Sequence, residues 1–225
     1  TAAAVTTVVL PVAGTYVLQY AVSQTDTTTT TVYSDSDTVT ITANASWDAG
    51  GGANKAWSTL VNWGDDADPA GKEVVFSSLG AIPSGTTNLL TASKSINSLT
   101  YFFESATNQH TTEIAAGQTL AVTGDISVAG STTATTPTNV TLTGTNGALT
   151  VGGTSFQVGQ LSPASGATTT SLDMSGLGTF NANLGSGGTF RLAAASSSTS
   201  GSDVTMKLAG TSTITTNLLS VGANT

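Results

Sequence analysis

Val140-Thr141-Leu142-Thr143-Gly144, Leu172-Asp173-Met174-Ser175-Gly176 and Val204-Thr205-Met206-Lys207-Leu208 begin at positions 140, 172 and 204, two equal steps of 32 residues. In each run apolar residues alternate with small polar ones, the period of a strand with one buried face. Further short alternating runs follow each of them. After the first come Leu149-Thr150-Val151-Gly152 and Phe156-Gln157-Val158-Gly159. After the second come Phe180-Asn181-Ala182 and Phe190-Arg191-Leu192, and after the third Ile214 and Leu219-Ser220-Val221-Gly222. Three short strands per repeat with glycine at the corners are what a parallel β-helix needs, because each coil buries its inward row on the coils above and below. The right-handed crossover rule makes the expected hand right. Asn146-Gly147 is a hairpin signal and keeps an antiparallel sandwich open as the alternative.

Upstream, Ile96 to Phe103 and Leu120 to Val128 also read as strands, although the step from Leu120 to Val140 is only 20 residues. Such irregularity is expected of terminal, capping repeats. The expected fold is therefore all-β: a right-handed parallel β-helix over 77–225, a Trp-rich junction or cap over 45–76, and an Ig-like β-sandwich fragment over 1–44.

Composition agrees with this class. Thr occupies one position in five, charged residues only 8%, and there are 25 Gly and no Cys. β-branched Thr and Val suit a pleated surface. The net charge is −8 with five basic residues, so the Lys/Arg clusters that neutralise a nucleic-acid backbone are missing. No apolar run is long enough to span a bilayer as a helix. Absence of Cys removes disulfides and thiolate metal sites.

In the first segment, Tyr16, Leu18, Tyr20 and Val22 stand at period two, as do Val39 and Ile41 within Thr38–Thr42. Gln24 to Asp37 reads as a polar hairpin loop, and Val5 to Val12 as a further strand limited by Pro11. Ala13-Gly14-Thr15-Tyr16 followed by Ser36-Asp37-Thr38-Val39-Thr40-Ile41 resembles the last three strands of an Ig-like domain of the polycystic-kidney-disease type. The resemblance implies that Tyr16 packs at a strand corner of the sandwich. Three strands do not close a sandwich, so a partner sheet is expected.

Trp47, Trp57 and Trp63 all fall in the junction. The order Trp47 … Trp57-Ser58-Thr59 … Asn62-Trp63 … Pro69 … Val74-Val75-Phe76 resembles the opening that precedes the repeats of autotransporter-associated β-strand repeat proteins. Leu142-Thr143-Gly144 and Leu149-Thr150-Val151-Gly152-Gly153 resemble those repeats themselves, while the frequent Asn-Thr-Tyr-x-Gly turn is absent. The resemblance implies a β-helical protein of the bacterial surface. The tryptophans are expected to plug the open end of the helix, where core and strand edges would otherwise meet water; stacking on sugar rings is the alternative.

Candidate chemistry is sparse. Asp125, Asp173 and Asp203 are spread over separate coils, whereas polysaccharide-cleaving β-helices need clustered carboxylates. His110, the one histidine, is expected in an exposed loop. Asp48, Asp65, Asp66 and Asp68 would suit Ca²⁺ by donor type, but a solvated acidic turn accounts for them more simply. No catalytic residue, cofactor or metal is assigned. Thr1 reads as the start of a mature or excised piece, and both ends read as cut. The expected role is a non-catalytic structural component of a secreted or cell-surface bacterial fibre or stalk, joined head to tail to copies of itself or to other surface proteins. An adhesin that binds glycans is the second reading and a polysaccharide-active enzyme the third.

Overall fold

The computed structural model describes residues 14–25, 32–77, 86–103, 109–130, 137–159, 169–192 and 203–222. Among these residues all regular structure is β except for one short 3-10 turn at Leu60–Asn62. The first two strands, β1 (Gly14–Thr25) and β2 (Val32–Ala43), form an antiparallel pair from Gly14↔Ala43 to Thr25↔Val32. This ladder runs through most of the stretch read as a polar loop, because backbone pairing needs no apolar alternation and Thr favours the strand. The expected strand at Val5–Val12 lies outside the described residues. No second sheet packs on the pair among the described residues.

From β3 (Ala45–Ser46) onward the chain winds as a parallel solenoid of about five turns. Sheet 1 contains β3, β4 (Glu73–Ser77), β7 (Ser98–Phe103), β10 (Ile126–Gly130), β12 (Ser155–Val158), β15 (Thr189–Leu192) and β18 (Leu218–Val221). Sheet 2 contains β5 (Thr86–Leu90), β8 (Gln109–Ile114), the first half of β11 (Thr138–Val151), β13 (Thr169–Asp173) and β16 (Asp203–Lys207). Sheet 3 contains β6 (Lys94–Ile96), β9 (Thr119–Val122), the second half of β11, β14 (Leu177–Asn183) and β17 (Thr211–Thr215). At about 4.8 Å per rung, five turns stand about 24 Å tall.

The core is a set of axial columns. One runs Val74–Leu99–Ile126–Phe156–Phe190–Leu219 and its neighbour Phe76–Tyr101–Val128–Val158–Leu192–Val221. Sheet 3 adds Ile96–Val122–Val151–Ala182–Ile214. Strict alternation puts Thr, Ser and Asn on the outer face of the same strands. Phe156 and Phe190 stack one rung apart, centroids 4.5 Å and planes 4°.

The equal step of 32 needs correction. Val140 pairs with Leu172, but Leu172 pairs with Met206, and Val204 pairs with Thr170. The two-residue offset keeps the same face inward, so the alternation survives it. The 20-residue step is also an artefact of comparing different sheets: Leu120 lies on sheet 3 and pairs with Leu149. Ile96–Phe103 and Leu120–Val128 are each two strands, broken at the sheet 3 to sheet 1 corners around Asn97 and Thr123–Asp125. Asn146-Gly147 is no hairpin. It forms the sheet 2 to sheet 3 corner inside β11, with Asn146 at φ 62° and an irregularity between Gly144 and Ala148.

Candidate functional site

Trp47, Trp57 and Trp63 are all buried, at 1%, 1% and 0% exposure, so none offers a face to a sugar. Trp63 meets Trp47 and Trp57 edge-on at 5.1 and 5.2 Å. Phe76 lies within 5.8 to 6.2 Å of all three and passes the stack on to Tyr101 at 5.0 Å. The Trp57 indole N–H donates to Asn88 Oδ1 (2.6 Å) and the Trp63 indole N–H to the Trp57 carbonyl (2.9 Å). Asn62, also buried, accepts from the Gly51 amide and donates to the carbonyls of Asn54 and Ala56.

The same segment covers the strand edges of the first turn. On sheet 1 β3 pairs with β4, and the Trp47 amide donates to the Val75 carbonyl. On sheet 2 Trp57 and Leu89 are joined through Trp57 N–H to Leu89 O and Leu89 N–H to Lys55 O. On sheet 3 Gly71 N–H donates to Ser95 O and Asn97 N–H to Lys72 O. The three tryptophans pack together at this turn while the backbone satisfies three edges.

The opposite end differs. Among the described residues nothing pairs with the outer edges of β16, β17 and β18. Leu219 and Val221, the last members of the two sheet 1 columns, are 61% and 72% exposed.

His110 is not in a loop. It sits on β8 in an inward column between Thr86 and Val140, 1% exposed, with its ring 5.1 Å from Phe76. The residues at i+2 and i+4 carry the signal: Thr112 and Ile114 share its inward parity, and both are buried. Burial lowers the imidazole to about 4. Tyr101 is fully buried too, which pushes its phenol above the ordinary range although its hydroxyl bonds Thr112 Oγ1 at 2.7 Å.

The acidic residues are dispersed. Asp65 pairs with Lys72 (2.8 Å) and Asp68 with Lys94 (2.6 Å). Burial works to raise Asp68, but the Lys94 and Ala70 hydrogen bonds and the nearby lysine charges prevail and hold it below its usual value. Asp48 Oδ1 accepts from the Gly50 amide. No group of three His, Cys, Asp or Glu able to hold a metal occurs among the described residues. Asp173, hydrogen-bonded by Lys207 and Ser175, is held at about 2. Asp203 is at the other end of the neighbouring strand, opposite Thr169.

Asp125 stands at the sheet 3 to sheet 1 corner of its turn. Its Oδ1 accepts the amides of Thr154 and Ser155, both at 2.8 Å. That corner forms one wall of a polar cleft of about 580 Å³, lined by Glu73, Ser98, Thr100, Asp125, Ser127 and Thr154. Gly124, Gly152 and Gly153 line it as well. A Cβ on Gly124 would sit 2.4 Å from the Asn97 carbonyl oxygen, and one on Gly153 2.1 Å from that of Gly124. Close stacking of the corners therefore demands glycine, and glycine leaves a notch. A smaller hollow of about 230 Å³ on sheet 3 adjoins it through Thr123 and Gly152. Tyr16, on β1 opposite Ile41, is half-buried and far in sequence from this cleft.

Comparison with protein-family models, curated proteins and solved structures finds no match to this chain.

Proposed function

We propose that this chain is a non-catalytic rod segment of a secreted or cell-surface bacterial fibre or stalk. The observation that carries the reading is the combination of continuous apolar columns through five turns with a low-charge Thr/Ser/Asn outer face. Such a body is held by ladders between neighbouring rungs, without disulfides and with few ion pairs, so salt and reductant leave it unaffected. The reading includes a right-handed coil, kinship with autotransporter-associated β-strand repeat proteins, and a β1–β2 pair that is the remnant of an Ig-like sandwich cornered by Tyr16. Partners are copies of the chain or other surface proteins.

The capped first turn bears on how the rod is joined. Strand pairing at that end is already satisfied by Trp47, Trp57 and Gly71, so simple head-to-tail addition of edges has no acceptor there. Joining through the outer edges of β16, β17 and β18 fits the reading better. Immunogold labelling of intact cells of the source organism, with antibody raised against the 225-residue chain, tests it. Label along surface fibres is the expected result. Label confined to the cytoplasm, or release of reducing ends from polysaccharides by the purified chain, would overturn the proposal.

A further inference from the structure

The tryptophans being buried, the larger of the two adjoining hollows, the cleft beside Asp125, is the candidate ligand site. Its volume of about 580 Å³ falls within the range of roughly 300 to 1,000 Å³ typical of ligand sites. It crosses successive turns: Glu73 pairs with Ser98, and Thr100 pairs with Ser127. Its lining therefore repeats at the inter-strand spacing of about 4.8 Å, which is comparable to the length of one sugar ring in an extended chain. The lining is made of hydroxyls, Asn97, glycine and two carboxylates, with no Lys or Arg. Among the described residues the Glu73 carboxylate makes no hydrogen bond or ion pair, and Asp125 accepts its hydrogen bonds through Oδ1. Carboxylates accept paired hydrogen bonds from vicinal hydroxyls and repel acidic polymers.

We infer that this cleft binds an uncharged glycan strand lying along the solenoid axis. Glu73 and Asp125 accept from sugar hydroxyls, while Ser98, Thr100 and Ser127 follow the chain from rung to rung. The site does not depend on the rod role: a stalk that binds nothing and a glycan binder that forms no fibre are separable outcomes.

The test is titration calorimetry of the 225-residue chain with cellotetraose, maltotetraose and chitotetraose, and with tetragalacturonate as the acidic comparison. Gly152→Trp fills the cleft, and its Cβ would meet nothing closer than 3.7 Å. Gly187→Trp, at the corner one turn further on where a Cβ meets nothing within 4 Å, is the control outside the cleft. Circular dichroism and urea unfolding verify that both variants fold. At least one neutral tetrasaccharide is expected to bind, at least tenfold more weakly to Gly152→Trp and unchanged to Gly187→Trp, with no binding of the galacturonate. Absence of binding by all three neutral probes, retention of affinity in folded Gly152→Trp, or preference for the acidic probe would each overturn the inference.

Discussion

Replacing His110 by Leu should make the fold indifferent to mild acid. The imidazole is 1% exposed and packed on Phe76, and burial lowers it from 6.5 to about 4. In the unfolded chain it takes up a proton near its ordinary value, while the native chain resists until about pH 4. Between these limits the unfolded state binds more protons, so stability rises with pH across the window. The contribution of neutral His110 is complete above about pH 6.5 and is lost progressively as the pH falls to about 4. With about 1.4 kcal/mol for each unit, the loss is on the order of 3 kcal/mol. The Asp173–Lys207 pair stays out of this window, because Asp173, at about 2, loses its contribution only below its unfolded value near 3.8.

Urea unfolding followed by tryptophan fluorescence suits the question, since all three tryptophans are buried beside Phe76. The wild-type midpoint should fall steeply between about pH 6.5 and about pH 4. The Leu variant should remain nearly flat there, then decline with wild type at lower pH. Parallel curves for the two proteins across that interval would refute the assignment of His110 as a buried neutral group.

Gly144→Ala should destabilise by at least about 3 kcal/mol in urea, since Gly144 has φ +135° and its Cβ would lie 1.9 Å from the Ile114 carbonyl oxygen; Gly117→Ala, with positive φ but open space around it, should cost clearly less. Trp57→Phe removes the N–H that reaches Asn88 Oδ1 and should lower stability by about 1–3 kcal/mol through the buried acceptor left behind, as read from the thermal or urea midpoint. Native-state hydrogen exchange should show amides of β16, β17 and β18 exchanging faster than those of β8, β10 and β12, because only the former lie at an end without a covering strand.

What could be read from the sequence was the inward row. Leu142, Leu149, Phe156, Leu172, Phe180 and Phe190 alternate with polar residues, and all six are buried in the solenoid. The three tryptophans of the junction pack on one another and on Phe76 beside the first turn. The corners were harder to see. At Ile96-Asn97-Ser98-Leu99 two polar residues separate the inward Ile96 and Leu99, and this one-residue break in the alternation is the only local mark of a bend between two sheets. His110 was misplaced because a single imidazole in a Thr-rich stretch looks solvated, and only the column Thr86–His110–Val140 reveals its direction. The cleft left no motif at all. It arises from Thr123-Gly124-Asp125 and Gly152-Gly153-Thr154 meeting across turns, 29 residues apart, a juxtaposition fixed by the coil and not by spacing within either triplet.

The unequal turns have a physical source that also explains why a fixed period was a partial guide. The sheet 1 columns advance by 25 residues from Val74 to Leu99 but by 34 from Phe156 to Phe190. Sheet 2 to sheet 3 connections are short, three residues from β5 to β6 and three from β13 to β14. Sheet 1 to sheet 2 connections range from five residues between β7 and β8 to ten between β12 and β13. Lengthening a surface connection costs little, about 0.6 kcal/mol for each doubling. A one-residue slip inside a strand would turn every buried side chain outward. Insertions are therefore taken up at the sheet 1 to sheet 2 corner and at the sheet 3 to sheet 1 corner, where connections range from one residue between β6 and β7 to five between β14 and β15, while inward parity is kept on all three sheets. The conserved quantity in this solenoid is the stacking of Val, Leu, Ile and Phe along the axis, and the residue count per turn is free to vary around it.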